Sequence, residues 1–337
     1  MNSTGPARLV DVARSASVSV ATVSRVLNGH HVDAELSARV RAAVASLDYR
    51  PNAIARSLRR RDTQVWAVVI TDVTNPFFTS LVRGIEDVAQ ESGYSVLLGN
   101  SDESAIKQEH YLQVAESERV AGVVLTPAES QASVSRLTAV GIPVVTVDRP
   151  LGEDQAHSVA DSIMADSAGG AEVATAHLLS HGWSRPACIA GPQRTITAQD
   201  RARGYERAML SSGLSPRTVW STFTTPGGHE AAQALLGGDD RPDALVLGNS
   251  AIALGALAAV AAAGLVVGRD IGLVGFDDSP WAPLMTPPLT VVSQPAYELG
   301  ADAARLLLAR IQGTGPTDPV RILRQTTLIE RGSCRRQ

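Results

Sequence analysis

Residues 10–28, VDVARSASVSVATVSRVLN, hold two short helical patterns with a tight turn between them. Val12, Ala13 and Ala16 put small apolar groups on one face of the first helix. Ser19 is an N-cap residue ahead of the second, where Val20, Val23 and Leu27 recur at i, i+3 and i+7 with Val26 beside them. Thr22, Ser24, Arg25 and Asn28 face elsewhere, and such hydroxyl, guanidinium and amide groups contact phosphates and base edges. The pattern predicts a helix-turn-helix whose second helix, residues 20–27, enters the major groove of DNA. Val20 and Ala21, at its start, are small enough to meet a thymine methyl but cannot make bidentate bonds. Arg25 is the candidate for guanine, while Thr22, Ser24, Asn28 and Tyr49 are expected to fix position through the DNA backbone.

Outward from that stretch, a third helix is predicted from about Ala34 to Leu47. Asp33 is its N-cap, and Leu36, Val40, Val44 and Leu47 form its apolar stripe. His30 and His31 are adjacent on a loop without partners at ligand spacing, so they are read as lying near phosphate or solvent rather than on a metal. The motifs Asp11-Val12-Ala13, Val18-Ser19 and Thr22-Val23-Ser24-Arg25-Val26-Leu27-Asn28 resemble the amino-terminal signature of the LacI/GalR family of transcription regulators. Tyr49-Arg50-Pro51-Asn52-Ala53 and Ala55-Arg56-Ser57-Leu58 are similar to that family's hinge helix, and the likeness continues through nearly the whole chain. Two residues depart from the pattern. Arg8 stands where a capping threonine is usual, and Ser17 where the turn between helices usually has glycine. At φ > 0 a serine costs about 1 kcal/mol.

Residues 51–60, PNAIARSLRR, are shorter than a helix needs to be stable alone in water. The resemblance implies that two copies of this hinge helix order on DNA, with Leu58 wedged between central base pairs in the minor groove. Asn52 and Arg59 join the DNA-facing set, and Arg56, Arg60 and Arg61 supply further phosphate contacts.

The net charge of −4 conceals an asymmetry. Residues 1–61 hold ten arginines and four acids, a balance of +6, which leaves 20 basic and 30 acidic groups, −10, for the rest. A basic head on an acidic body points to nucleic acid at one end only. With 44% hydrophobic residues the chain can bury a large core. The two cysteines, Cys188 and Cys334, are too far apart in sequence to suggest a metal site, and are read as a core residue and an exposed tail thiol. No apolar leader and no run of transmembrane length occur, so a cytoplasmic protein without membrane contact is expected.

From Trp66 the grammar becomes alternating strand and helix, which means parallel sheets with helices on both faces. The pattern repeats after residue 162, giving two similar lobes. The expected fold is therefore α/β: a three-helix helix-turn-helix head (1–50), a hinge helix and linker (51–63), and a two-lobed, periplasmic-binding-protein-like body of parallel sheets flanked by helices (64–337). Lobe 1 takes about 64–161 and 293–323, and lobe 2 about 162–292 and 324–337. The resemblance implies three crossings between lobes, near 162, 292 and 324, with a ligand cleft at the carboxyl ends of the strands.

Polar and aromatic residues gather at those ends: Asp72, Asn75, Phe77 and Phe78 after the first strand, Asp148 and Arg149, then Thr197 and Arg201. Phe223, Asn249, Asp277 and Trp281 follow in later segments. Carboxylates, amides and guanidinium groups beside aromatic faces suit a sugar, whose hydroxyls both donate and accept and whose C–H face stacks on rings. The resemblance supports Phe77 and Phe78, Arg201 of Arg201-Ala202-Arg203-Gly204-Tyr205, Asp277 of Gly275-Phe276-Asp277-Asp278, and Asn249, although Ser250 replaces the aspartate that usually follows.

No dinucleotide fingerprint, P-loop or nucleophile elbow occurs, so no cofactor and no enzyme are expected. The function that follows is a repressor of carbohydrate-metabolism genes. It binds a palindromic DNA operator as a homodimer and is released by a small sugar effector. Without a leucine-heptad tail, a dimer is favoured over a tetramer. A purine- or sugar-phosphate-responsive corepressor-type regulator, or a sugar-binding protein without regulatory role, are the alternatives.

Overall fold

The computed structural model describes residues 7–27, 31–49, 63–129, 134–152 and 160–336. It divides into two compact units, Met1–Thr63 and Gln64–Gln337.

The head holds α1 (Leu9–Ser15), α2 (Val20–Leu27) and α3 (Ala34–Ser46). Val12, Ala13, Ala16, Val23, Val40 and Ala43 are buried between them. Asp33 caps α3, its Oδ1 accepting the Glu35 and Leu36 N–H groups at 3.0 and 3.3 Å. Ser19 caps α2 by accepting the Thr22 N–H at 3.1 Å. At α1 the Asp11 carboxylate accepts the Arg8 N–H at 3.0 Å, but an arginine side chain has no acceptor to return the bond. The turn between α1 and α2 bends through Ser17 at φ +50°, so the serine does stand where glycine would be unstrained. From α3, the Arg39 guanidinium donates to the Ala16 carbonyl (2.6 and 3.1 Å) and to that of Ser17 (3.0 Å), tying the strained turn to the third helix. The expected hinge helix lies outside the described residues.

In the body the chain runs β1 (Val65–Ile70), α4 (Pro76–Glu91), β2 (Ser95–Asn100), α5 (Ala105–Ser117), β3 (Gly122–Leu125), α6 (Ser135–Ala139), β4 (Val144–Val147) and β5 (Asp161–Ala165). It continues through α7 (Ser167–Ser180), β6 (Pro186–Ala190), α8 (Ile196–Ser211), β7 (Thr218–Trp220), α9 (Thr225–Leu236) and β8 (Ala244–Leu247). Then come α10 (Ser250–Ala262), β9 (Gly272–Phe276), a 3₁₀ turn (Ala282–Leu284) and β10 (Thr290–Ser293). The last elements are α11 (Ala296–Ile311), β11 (Arg321–Arg324) and β12 (Thr327–Ile329).

Two six-stranded sheets form, in the orders β11-β5-β4-β3-β1-β2 and β12-β10-β9-β8-β6-β7. All pairs are parallel except β10 with β12. Helices cover both faces, so strands such as VWAVVI in β1 read as nearly continuous apolar runs. Clusters around Trp66 and Leu81 fill one face of the first sheet, and one around Leu112 and Val123 fills the other. In the second lobe α7 and α8 approach closely because Gly204 has no side chain: a Cβ there would stand 2.0 Å from the Ala168 carbonyl oxygen.

Three details differ from the sequence reading. The first crossing comes at Asp166, not near 162, because residues 161–165 form β5 in the first sheet. The polar start of that strand hides it from periodicity. Asp161 is buried because it accepts from Arg310 at 2.7 and 2.8 Å and from the Val320 N–H at 2.7 Å. Residues 320–327 read in sequence as one closing strand, but the chain forms two here, Arg321–Arg324 and Thr327–Ile329, one in each sheet. Cys334 is buried rather than exposed: Trp183 Nε1 donates to its carbonyl at 2.7 Å and its Sγ lies 3.1 Å from the Leu273 oxygen. Burial pushes the thiols of Cys334 and Cys188 up to about 11 and about 12, so both stay protonated at neutral pH.

Candidate binding cleft and recognition helix

A cleft of about 380 Å³ opens between the lobes, at the carboxyl ends of strands from both sheets. Asp72, Asn75, Phe77 and Phe78 reach it from the segment after β1. Asp148 and Arg149 follow β4, Thr197 and Arg201 lie on α8, and Phe223, Asn249 and Asp277 come from the second lobe. Trp281 does not line it. After Asp277 the chain turns into the 3₁₀ segment, and Trp281 packs partly buried against the second lobe's core.

The two lobes use one local device twice. Asp148 and Asp277 each follow a strand, donate their N–H to the adjacent strand (2.9 Å to Ile163 and to Val292), and then turn left-handed at φ +68° and +70°. Aspartate tolerates that region better than most side chains, and the bend presents a carboxylate to the cleft. Asn75 and Asn249 are a second matched pair. Each amide oxygen caps the helix that follows, accepting the N–H of Phe77 at 3.0 Å and of Ile252 at 2.8 Å. What either can offer a ligand is therefore its NH2 group. Asp72 is partly engaged as well, accepting from the Thr74 N–H and hydroxyl at 2.8 and 2.6 Å.

Four charged groups are buried here: Asp148, Arg149, Arg201 and Asp277. Glu103 grips Arg149 through both terminal nitrogens, at 2.6 and 2.7 Å, and the Pro127 carbonyl accepts from the same guanidinium at 3.2 Å. Asp148 lies 3.4 Å from Arg149 Nε, and the guanidinium sits 5.7 Å from the centre of the Phe223 ring. A Cβ on Gly191 would collide with that ring, so glycine there lets Phe223 approach the backbone closely. Arg201 donates to the Gly248 carbonyl and stacks 4.4 Å over Phe276. Burial lowers the Arg201 pKa. Burial also disfavours charge on Arg149, but Glu103 and Asp148 outweigh it and hold that group's pKa up. Burial pushes the carboxyls of Asp148 and Asp277 up, against the pull of the neighbouring arginines.

Among the described residues around the cleft, Thr71 Oγ1, Arg201 Nε and Gln294 Oε1 are buried with no hydrogen-bond partner, and Arg149 Nε has only its ion pair with Asp148 at 3.4 Å. Buried polar atoms left in this way call for complementary groups. The sequence reading missed Thr71, Thr74, Asp102, Glu103, Thr224, Thr225 and Gln294 among the lining residues. Asp102, Glu103 and Thr224 follow β2 and β7, so the rule that ligands sit beyond strand ends would have found them. Gln294 stands where the chain recrosses between lobes and donates to Asp277 at 2.7 Å.

In the head, α2 leaves Ala21 and Arg25 exposed. Val20 and Tyr49 are shared with the core, packing partly buried against it. The Thr22 hydroxyl lies 2.9 Å from that of Ser19, and Ser24 is half-buried. His31 is exposed. Asn28, His30, Asn52, Leu58 and Arg59, with Arg56, Arg60 and Arg61, lie outside the described residues. No cluster of metal-ligand type and no helix long and apolar enough to cross a membrane occurs among the described residues.

The family described as bacterial regulatory proteins, lacI family, matches residues 8–52, and the periplasmic binding protein-like domain matches 175–334. The chain is 39% identical over 337 residues to the ribose operon repressor of Escherichia coli (strain K12), covering 97% of this chain and 99% of that one. It is 32% identical to the HTH-type transcriptional repressor PurR of Photobacterium profundum over 91% of this chain and 92% of that one. The structure superposes with a TM-score of 0.86 on the crystal structure of the lac repressor dimer bound to operator and the anti-inducer ONPF, at 27% identity, covering 98% of this chain and 99% of that one. A helix-turn-helix head, two parallel sheets around a polar cleft and full-length likeness to these repressors make the chain a member of the lacI family of bacterial regulatory proteins.

Proposed function

We propose that the protein is a cytoplasmic, dimeric repressor of sugar-utilisation genes, released from a palindromic operator by a neutral pentose-class sugar bound between the lobes. One observation carries the ligand class: the fork of Arg149 is already filled by Glu103, while the cleft's carboxylates outnumber its guanidinium groups and call for hydroxyl donors. Phe77, Phe78 and Phe223 supply the apolar surface on which a sugar's C–H face rests. The name of the Escherichia coli relative supports a pentose, and the PurR relative keeps a purine as the competitor. The acidic surplus of the lining favours the sugar, because a purine offers fewer hydroxyl donors.

In this reading α2 of each protomer reads one half-site, with Arg25 on a guanine, Val20 and Ala21 against methyl groups, and Thr22, Ser24, Asn28 and Tyr49 on the backbone. Asn52, Leu58 and Arg59 of the hinge act at the centre of the site. A sugar that touches both lobes favours one lobe arrangement, and whatever that arrangement does to operator affinity the operator does in return to sugar affinity. The protein changes neither ligand chemically. The test begins with selection of duplexes from a random library, followed by titration of D-ribose against the selected complex. Release by D-ribose, with the sugar recovered unchanged, is the expected result. Retention of the complex with D-ribose and tighter binding with hypoxanthine would replace the sugar reading by the purine one.

A further inference from the structure

We propose that Glu103 sets the charge specificity of the cleft, cancelling Arg149 so that neutral sugars enter and phosphorylated ones are refused. The inference rests on the cleft being the effector site. Arg149 is buried, and a buried guanidinium facing a ligand cleft is the residue type that grips phosphate through two parallel N–H bonds. Here that fork is already filled. Both terminal nitrogens are taken by the two oxygens of Glu103, at 2.7 and 2.6 Å, so the bidentate face a phosphate would need is occupied by a carboxylate from the same lobe.

The backbone is bent to bring this about. Asp102 and Glu103 are consecutive residues at φ +49° and +56°, a conformation that neither glycine nor asparagine is present to ease. Asp102 is bonded to Lys107 and to the Asn100 amide (2.7 Å), which holds the loop in place. Both acids also line the outer cavity that leads into the cleft, together with Arg194, Phe223 and Thr224. Among the described residues of that outer wall the cation is Arg194, which is exposed and lies 3.7 Å from Glu129. A sugar phosphate whose ring occupied the cleft would set its phosphate in this outer cavity, against two carboxylates, with Arg149 unable to answer.

Glu103 is only partly buried, so its charge can be removed with less disturbance than that of Arg149. D-ribose 5-phosphate and inorganic phosphate serve as probes for the full-length protein, with D-ribose as the reference, read by calorimetric titration. Wild type should bind D-ribose and neither phosphate probe. Glu103→Gln removes the negative charge and one of the two acceptors that fill the guanidinium fork, and should bind both phosphate probes at least tenfold more tightly than wild type does. Adding Arg149→Met to that variant should remove the gain. Glu103→Ser, smaller and equally neutral, repeats the measurement should Glu103→Gln not fold.

No gain for inorganic phosphate in either folded variant, or a gain that survives Arg149→Met, overturns the proposal. So does wild-type binding of D-ribose 5-phosphate as tight as that of D-ribose. If wild type ignores D-ribose yet the variants gain phosphate through Arg149, the pentose reading falls and the role of Glu103 stands.

Discussion

Ser17→Gly should stabilise the head. Ser17 sits at φ +50° on the exposed turn between the two helices of the DNA-reading motif. A left-handed conformation costs a residue with a Cβ roughly 1–2 kcal/mol. Glycine removes that cost but gives the unfolded chain more freedom, which returns about 0.5–1 kcal/mol. Taking the middle of each range, the net gain is about 0.8 kcal/mol. For a cooperative unit of roughly 60–100 residues, 1 kcal/mol moves the midpoint by about 4–8 °C, so a rise of about 3–6 °C is expected. The bonds from Arg39 reach the carbonyls of Ala16 and Ser17 and survive the change. Calorimetry of the full-length protein would read it, the head's transition being the one that operator DNA shifts upward. Ser17→Ala keeps the Cβ and should give no such rise. A Ser17→Gly transition that stays put or falls would refute the argument and mean that the serine side chain contributes as much as the turn loses.

Because burial raises the Asp148 and Asp277 pKa values, the folded protein holds their protons more tightly than the unfolded chain. Their contribution to stability is fullest below the unfolded value of about 3.9 and is lost as pH rises through the raised values. If the proposed sugar donates its hydroxyls to the ionised forms, its affinity should weaken as pH falls through these raised values and the carboxyls take up protons, and a titration profile flat across that fall would refute this. Gly204→Ala drives a Cβ into the Ala168 carbonyl and should cost about 1–3 kcal/mol or more, read as a lowered denaturant midpoint of the body. Arg25→Ala should relax base preference in a selection experiment by about 1–3 kcal/mol at one position, whereas Arg59→Ala should weaken all sequences alike. Equal losses across sequences for both would sink that division of labour.

The head was legible because its signals are local: Ser19 and Asp33 cap, and valines repeat at helical spacing. Parallel strands buried on both faces were legible as apolar runs. β5 was not, since Asp161 is buried only by virtue of Arg310, far along the chain. The same holds for the cleft. Asp148 and Asp277 stand directly beyond strand ends and Arg201 in the second turn of α8, where chain order alone places them at the cleft. Glu103 gains its meaning from Arg149, and Gln294 from a crossing between lobes, which no local pattern encodes. Trp281 is close to Asp277 in sequence, although one turn after Asp277 is enough to carry it away from the cleft and against the second lobe's core.

The crossings also constrain how the body can be made. β11 completes the first sheet beside β5, and β12 completes the second beside β10, yet both strands come after residue 320. α11, which packs on α4 across the first lobe, precedes them only slightly. A chain emerging from the ribosome therefore exposes unfinished sheet edges and the apolar face meant for α11 through most of its synthesis. Neither lobe is complete before residues 321–329 have emerged, so the two should mature together from that point, and a cut within these two strands should cripple both lobes at once.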